Sequence, residues 1–397
     1  MALKHTQSLF RAKFLRNIHH HSPAIVEAKA NLTQAVTEAE KVVGYPTSFL
    51  NLRWLLTDEL ANVAKHIRKL IKVNHPLIEE ARKIFMGNNN DMPSWGLIVL
   101  LVSNSCGIKE SFSEYDRDTS SGVLYSQRAL AEVTEMIRIS NILHKNVVNV
   151  DKKMLDELAD LNFGNKLAML SGDYLLSKSF RELALLKNSD LNELMSSSLR
   201  DLAEADFIGI ETEFAAQLPC KPVNAPTALK IVDHFGTEPH KVHEILGNPI
   251  AEWTLRTTLG GATLLAKSCR GALILARHSE PLQKLGFLVG KNIALACQAK
   301  IDQEPFLPGQ SGTFSLISAP VMVHLNHFPN FYEKLMTSNI DYDSIRQEIQ
   351  SGPGLEGAQD LQQHFSKEAL RVLNELPNSD ARIALENIVK TLHSSDL

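Results

Sequence analysis

Apolar residues recur every three or four positions through most of this chain, and no stretch alternates as a strand would. Leu130, Val133, Ile137, Leu143 and Val147, with Ser140 in the same register, share one face of a helix across residues 121–149. Leu60, Val63, Ile67 and Leu70 do so in 48–71, where Thr47 or Ser48 after Pro46 supplies a capping candidate. Ile383, Leu385, Ile388 and Leu392 do so in 379–393, after Pro377 and the capping candidates Asn378, Ser379 and Asp380. Further helical patterns cover 163–187, 190–217, 251–276, 281–300, 315–336 and 359–376. Without alternating runs bounded by hairpin turns, the class implied is all-α, with antiparallel helices packed around a central space. Breaks fall at 87–93, 107–121, 218–249 and 303–313, the third holding Pro219, Pro222, Pro226, Pro239 and Pro249 and short helical pieces.

The chain has 397 residues, 44% of them hydrophobic, enough for one large core. A net charge of −4 gives no electrostatic case for nucleic acid. Cys106, Cys220, Cys269 and Cys297 are too scattered for a zinc site or disulfide framework and read as free thiols in a reducing compartment. The longest apolar run, 97–102, falls far short of the roughly 20 residues that span a bilayer. The N-terminal residues differ. Lys4, Arg11, Lys13 and Arg16 interleave with Leu9, Phe10, Phe14, Leu15 and Ile18, and no acidic residue precedes Glu27. That is the profile of a mitochondrial transit peptide, placed at 1–22 and followed by a helical domain at 40–395.

Local motifs divide into weak and strong. Residues 352–357 fit G-x-G-x-x-G but follow a helical pattern and include Pro353 and Glu356, so they read as a turn. His234, His240 and His243 lack the carboxylate or cysteine spacing of a metal site. The strongest signature is Gly164-Asn165-Lys166-Leu167-Ala168-Met169-Leu170-Ser171-Gly172-Asp173-Tyr174-Leu175. Gly164, Ala168 and Gly172 at four-residue spacing make a smooth stripe that lets another helix approach closely, with Asp173 beside it.

This segment resembles the sequence that follows the first aspartate-rich motif of the trans-polyprenyl diphosphate synthases. The helix through His144 resembles the approach to that family's His-Asp-Asp-x-x-Asp box. Ser268-Cys269-Arg270, Gly290-Lys291-Asn292 and Ala296-Cys297-Gln298 resemble the approach to its second box, and Ser318-Ala319-Pro320-Val321 its late small-x-Pro turn. The resemblance spans roughly residues 40–395. Through Gly44-Tyr45-Pro46-Thr47-Ser48-Phe49 and the 164–175 segment, the chain is most similar to the non-catalytic second subunits of decaprenyl-type synthases.

The resemblance implies an isoprenoid-synthase-type bundle around a central cavity. It also implies a chemistry in which Mg²⁺ steadies a leaving diphosphate. Mg²⁺ takes hard oxygen ligands, and carboxylates at i and i+4 of a helix face one way and collect it. Here the first box is degenerate at Lys145, Asn146 and Asn149, and the second at Ile301, Asp302 and Pro305. Glu304 is out of register. The family's basic Gly-Lys-Arg-x-Arg-Pro loop falls on 87–93 without Lys or Arg, its Lys-Thr on Gly260-Gly261, and its Gly-Glu-x-x-Gln on 205–209 without the Gln.

The resemblance therefore implies a subunit with no catalytic residues and no bound metal or cofactor of its own. Mg²⁺ and the isoprenoid diphosphates would sit in a catalytic polyprenyl diphosphate synthase partner, the two chains forming a heterotetramer in the mitochondrial matrix. Peripheral contact with the inner membrane is allowed. His144, Gly164, Asn165, Lys166, Ala168, Gly172, Asp173 and Gln298 are retained motif residues, and the 164–172 stripe and the 131–148 helix are the interface candidates. Two other readings stay open: a self-sufficient enzyme gathering Mg²⁺ with Asp173, Asp302, Glu304 or loop carboxylates, and a protein that holds an isoprenoid or regulates without prenyl transfer.

Overall fold

The computed structural model describes residues 23–44, 92–148, 158–208, 217–223, 237, 242, 245–337 and 340–393. The 1–22 leader, the 48–71 pattern, Asn149, His234, His240 and His243 lie outside the described residues. The regular structure described is helical apart from a ribbon in which β1 (Arg117–Asp118) pairs antiparallel with β2 (Val123–Leu124). Gly122 turns that ribbon at φ 66°, a left-handed conformation that suits glycine.

Helix α1 (Pro23–Val42) buries Leu32 and Ala39, and Val43 just after it is buried too. It packs on α2 (Trp95–Cys106) and on the last helix, so the packed body begins upstream of residue 40. In α2 everything from Gly96 to Ser103 is buried. A helix apolar on every side shows no period, which is why the 97–102 run read only as an apolar stretch. Ser94 caps it, its hydroxyl accepting from the Leu97 N–H at 3.3 Å.

Then follow α3 (Tyr125–Lys145), α4 (Leu158–Leu185) and α5 (Ser189–Asp206). The Asn188 side chain caps α5 by accepting from the Leu191 N–H at 2.9 Å. The helix stops at Asp206 with Phe207 as its C-cap, short of the 190–217 pattern. The 251–276 pattern is two helices, α6 (Pro249–Thr257) and α7 (Thr263–Leu275), joined by a π-helical turn at Thr258–Ala262. Gly260 and Gly261 are in that turn, and the Trp95 ring lies against Gly261 at 3.0 Å from where a Cβ would stand.

Helix α7 is the hub, touching α2, α3, α5 and α8 (Glu280–Gln303). Leu264 and Leu265 are wholly buried there, each worth about 1.5–3 kcal/mol of apolar burial. Helix α8 lies along α7 almost backbone to backbone. A Cβ at Gly290 would come within 2.9 Å of both the Ala266 Cα and the Leu265 carbonyl oxygen.

The 315–336 pattern divides at Phe328-Pro329 into α9 (Ala319–His327), a 3-10 turn and α10 (Tyr332–Leu335), because proline cannot continue a helix interior. A helix that the sequence reading passed over, α11 (Tyr342–Ser351), precedes α12 (Gly354–Leu373), and α13 (Asp380–His393) closes the chain against α1 and α2.

The G-x-G-x-x-G turn is a packing seat. A Cβ at Gly352 would meet the His324 ring at 2.7 Å, at Gly354 the Pro320 carbonyl oxygen at 2.6 Å, and at Gly357 the Val323 side chain at 2.5 Å. Each glycine lets the start of α12 settle against α9.

Candidate functional site

The two degenerate boxes end α3 and α8. The last turn of α3 carries His144 and Lys145, and Asn146 is its C-cap, its side chain donating back to the Ile142 carbonyl at 2.7 Å. Cations suit this end, where unpaired carbonyls leave a partial negative charge; a run of aspartates there needs an added cation. The Lys145 ammonium supplies one from within the chain, standing 3.2 Å from Asp206 Oδ1 at the end of α5. The loop that follows is fastened to α4. The Asn165 side chain accepts from the Val148 N–H and donates to the Val148 carbonyl, both at 2.8 Å.

The 164–172 stripe faces α3 of the same chain. Gly164, Ala168 and Gly172 are buried. Ser140 Oγ donates to the Gly172 carbonyl at 2.8 Å, and a Cβ at Gly172 would come 2.3 Å from His144 Nε2. Gly172 thus seats the His144 ring, which pairs with Asp173 Oδ1 at 3.2 Å. The stripe, an interface candidate from the sequence, is the close-packing face against which α3 of the same chain rests. Lys166 is exposed on the opposite side, and Asp173, which meets His144, is exposed at the edge of the contact. Met169, Leu170, Phe180 and Leu185 of α4 are exposed as well.

At the end of α8, Asp302 is a clamp. Its Oδ2 accepts from Trp253 Nε1 and from the Ala319 N–H, both at 2.8 Å, and its Oδ1 accepts from Gln298 Nε2 at 2.7 Å. One carboxylate therefore ties α6, α8 and the start of α9. Burial pushes its pKa above the usual carboxylate value, against the three donors that lower it. Ile301 is exposed, and Pro305 lies in a 3-10 turn after the helix, its carbonyl accepting from Arg346 Nε at 3.0 Å.

These donors do not fit Mg²⁺. The first box offers an ammonium and a capping amide, and the retained carboxylate of the second is taken up by three hydrogen bonds. Among the described residues no group of three or more His, Cys, Asp or Glu side chains is placed to hold a metal ion. The self-sufficient arrangement of Asp173, Asp302 and Glu304 is not assembled: Asp173 faces His144, while Asp302 faces Trp253.

Between the boxes, groups that the sequence reading passed over carry the polar structure. Glu135, fully buried, accepts from the Gly96 N–H and from Arg138 Nε, both at 2.9 Å, and Arg138 lies over the Trp95 ring. Lys267 of α7 reaches Asp201 Oδ2 of α5 at 2.5 Å and Ser197 Oγ at 2.9 Å. Burial pulls the Lys267 pKa below its ordinary value, against the Asp201 carboxylate that raises it. A lysine directly after Leu264-Leu265-Ala266 was the available signal.

No family model matches the chain. The human protein named all trans-polyprenyl-diphosphate synthase PDSS2 is 37% identical over 377 residues, covering 91% of this chain and 88% of that one. A probable mitochondrial hexaprenyl pyrophosphate synthase of Yarrowia lipolytica is 29% identical over 68% of this chain and 57% of its own. The solved heptaprenyl diphosphate synthase of Staphylococcus aureus, 17% identical, overlays on 85% of this chain and 97% of its own with a TM-score of 0.56, which carries the fold. The bundle is of the isoprenoid-synthase type, and the chain belongs to the all-trans-polyprenyl-diphosphate synthase family.

Proposed function

We propose that this chain is the non-catalytic subunit of a heteromeric, decaprenyl-type polyprenyl diphosphate synthase. The complex extends an allylic diphosphate with isopentenyl diphosphate to the all-trans chain that becomes the ubiquinone tail. The observation that carries this reading is Lys145. Its ammonium stands where the family places a metal-binding carboxylate and is satisfied by Asp206 at 3.2 Å. The catalytic partner keeps Mg²⁺ and both diphosphates. The complex works in the mitochondrial matrix, and the similarity to yeast enzymes named as mitochondrial supports the organelle.

The role left to this chain is to complete and steady its partner in a heterotetramer. The exposed side of α4 suits that task, with Met169, Leu170, Phe180 and Leu185 exposed among Lys166 and Arg181. A mixed apolar and charged surface of this kind is what protein interfaces use. The test is reconstitution of this chain, the catalytic subunit and their mixture with Mg²⁺, farnesyl diphosphate and labelled isopentenyl diphosphate. Long-chain product from the mixture alone supports the reading; turnover by this chain alone overturns it.

A further inference from the structure

A subunit that keeps the fold of a chain-elongating enzyme raises the question of where the growing polyprenyl chain lies. In this bundle the seam between α3, α5 and α7 runs inward from the degenerate first box. Three successive levels of that seam are described.

Nearest the box, Lys267 of α7 binds Asp201 and Ser197 of α5, with Lys267 1% and Asp201 0% exposed. Asp201 is also held from its other oxygen by Arg200 at 2.9 Å. At the next residue of α7, Thr134 of α3 donates to Ser268 Oγ at 2.8 Å, and Ser268 Oγ lies 3.8 Å from Met195 Sδ of α5. At the third level a Cβ on Gly271 of α7 would come 2.5 Å from Leu191 of α5 and 3.2 Å from Leu130 of α3. The seam is bridged by a charged pair, then by hydroxyls, and finally admits not even a methyl group.

An isoprenoid is a hydrocarbon that needs a continuous apolar path. Inserting it beside Lys267 and Asp201 would separate two buried, opposite charges and strand each of them, a far larger penalty than apolar contact returns. We propose that Lys267 and Asp201 form a polar crossbar that keeps the polyprenyl chain out of this subunit, so that the product grows entirely within the catalytic partner. This rests on the partner-subunit reading for where the product is made. The closure of the seam is a property of this chain by itself.

The test uses a geranylgeranyl diphosphate analogue carrying a benzophenone at its hydrocarbon end. It is elongated with isopentenyl diphosphate and Mg²⁺ by the reconstituted complex, irradiated and mapped by peptide mass spectrometry. The expected map places the label on the partner and none on peptides of this chain that contain Met195, Asp201 or Lys267. Label on those peptides overturns the proposal. The same probe is irradiated with this chain alone, where those peptides should stay unlabelled. This arm decides the crossbar even if the mixture makes no product and the partner-subunit reading falls. The double variant Lys267→Ala, Asp201→Ala, checked for folding by circular dichroism, is expected to gain label in α5 and α7 by about tenfold. A folded double variant that gains none shows that the crossbar is not what excludes the chain. Should it not fold, the wild-type map decides by itself.

Discussion

Trp253 Nε1 donates to Asp302 Oδ2 at 2.8 Å, so the carboxylate of the second box joins two helices. With Ala319 and Gln298 as further donors, Asp302→Ala leaves buried N–H groups unpaired and should lower stability by about 1–3 kcal/mol. Burial holds the folded-state pKa of Asp302 above its unfolded value near 3.9. Both states are protonated at lower pH. As pH rises from about 3.9 the unfolded chain ionises first, so this group's contribution is lost until pH passes the folded pKa. Asp302→Asn removes that slope. Urea midpoints measured from acid to neutral pH check it, and an unchanged slope in the variant would falsify the assignment.

Two glycines give opposite outcomes. Gly290→Ala drives a methyl into the Ala266 and Leu265 backbone, which cannot swing aside, and should cost about 1–3 kcal/mol. Gly260→Ala meets nothing nearer than the Ala205 Cβ at 3.9 Å and should be neutral or stabilising by up to about 1 kcal/mol. Thermal unfolding of the two variants side by side decides; equal losses would mean that seam packing is not the cause.

His324 is 2% exposed, with neither ring nitrogen hydrogen-bonded. It packs on Phe331 and Phe328, and the charged or titratable groups facing it are Glu348 of α11, 3.9 Å away, His327 of its own helix and Lys334 of α10. Burial pulls its pKa below the usual histidine value. The neutral ring's contribution is complete above the unfolded value near 6.5 and is lost as pH falls toward the folded pKa, because the unfolded chain takes the proton first. His324→Leu should flatten the stability profile in that window. A profile still as steep as wild type places the proton elsewhere.

The pair of Lys145 and Asp206 is half exposed, so removing it alone changes little. Lys145→Asp does more, setting an anion beside Asp206 and at the negative end of α3, and should cost about 1 kcal/mol. Asp206→Lys in that background should restore the loss. Wild type should melt at one temperature with or without Mg²⁺, and a shift on adding Mg²⁺ to wild type would sink the reading of Lys145 as an internal cation.

How far these features were legible depends on how local their causes are. Helix α13 buries one face, and its period is plain. Helix α2 buries every face and so has none, and α11 is too short to establish one. The break at Pro329 and the π turn at Gly260-Gly261 are single-residue effects inside otherwise regular patterns. At the site, the residue types of the boxes were readable, but their partners were not. Lys145 meets Asp206 and Asp302 meets Trp253 across the fold, and neither pairing leaves a spacing signal. The stripe at Gly164, Ala168 and Gly172 was legible as a close-packing surface, whereas its partner, α3 of the same chain, was not.

The seam at Gly290 bears on how such a gene wears. The ends of α3 and α8 are tied by pairings internal to the chain, and α8 rests on α7 with no room for one carbon atom. Inherited damage to this chain should therefore gather where helices touch, at small residues such as Gly290.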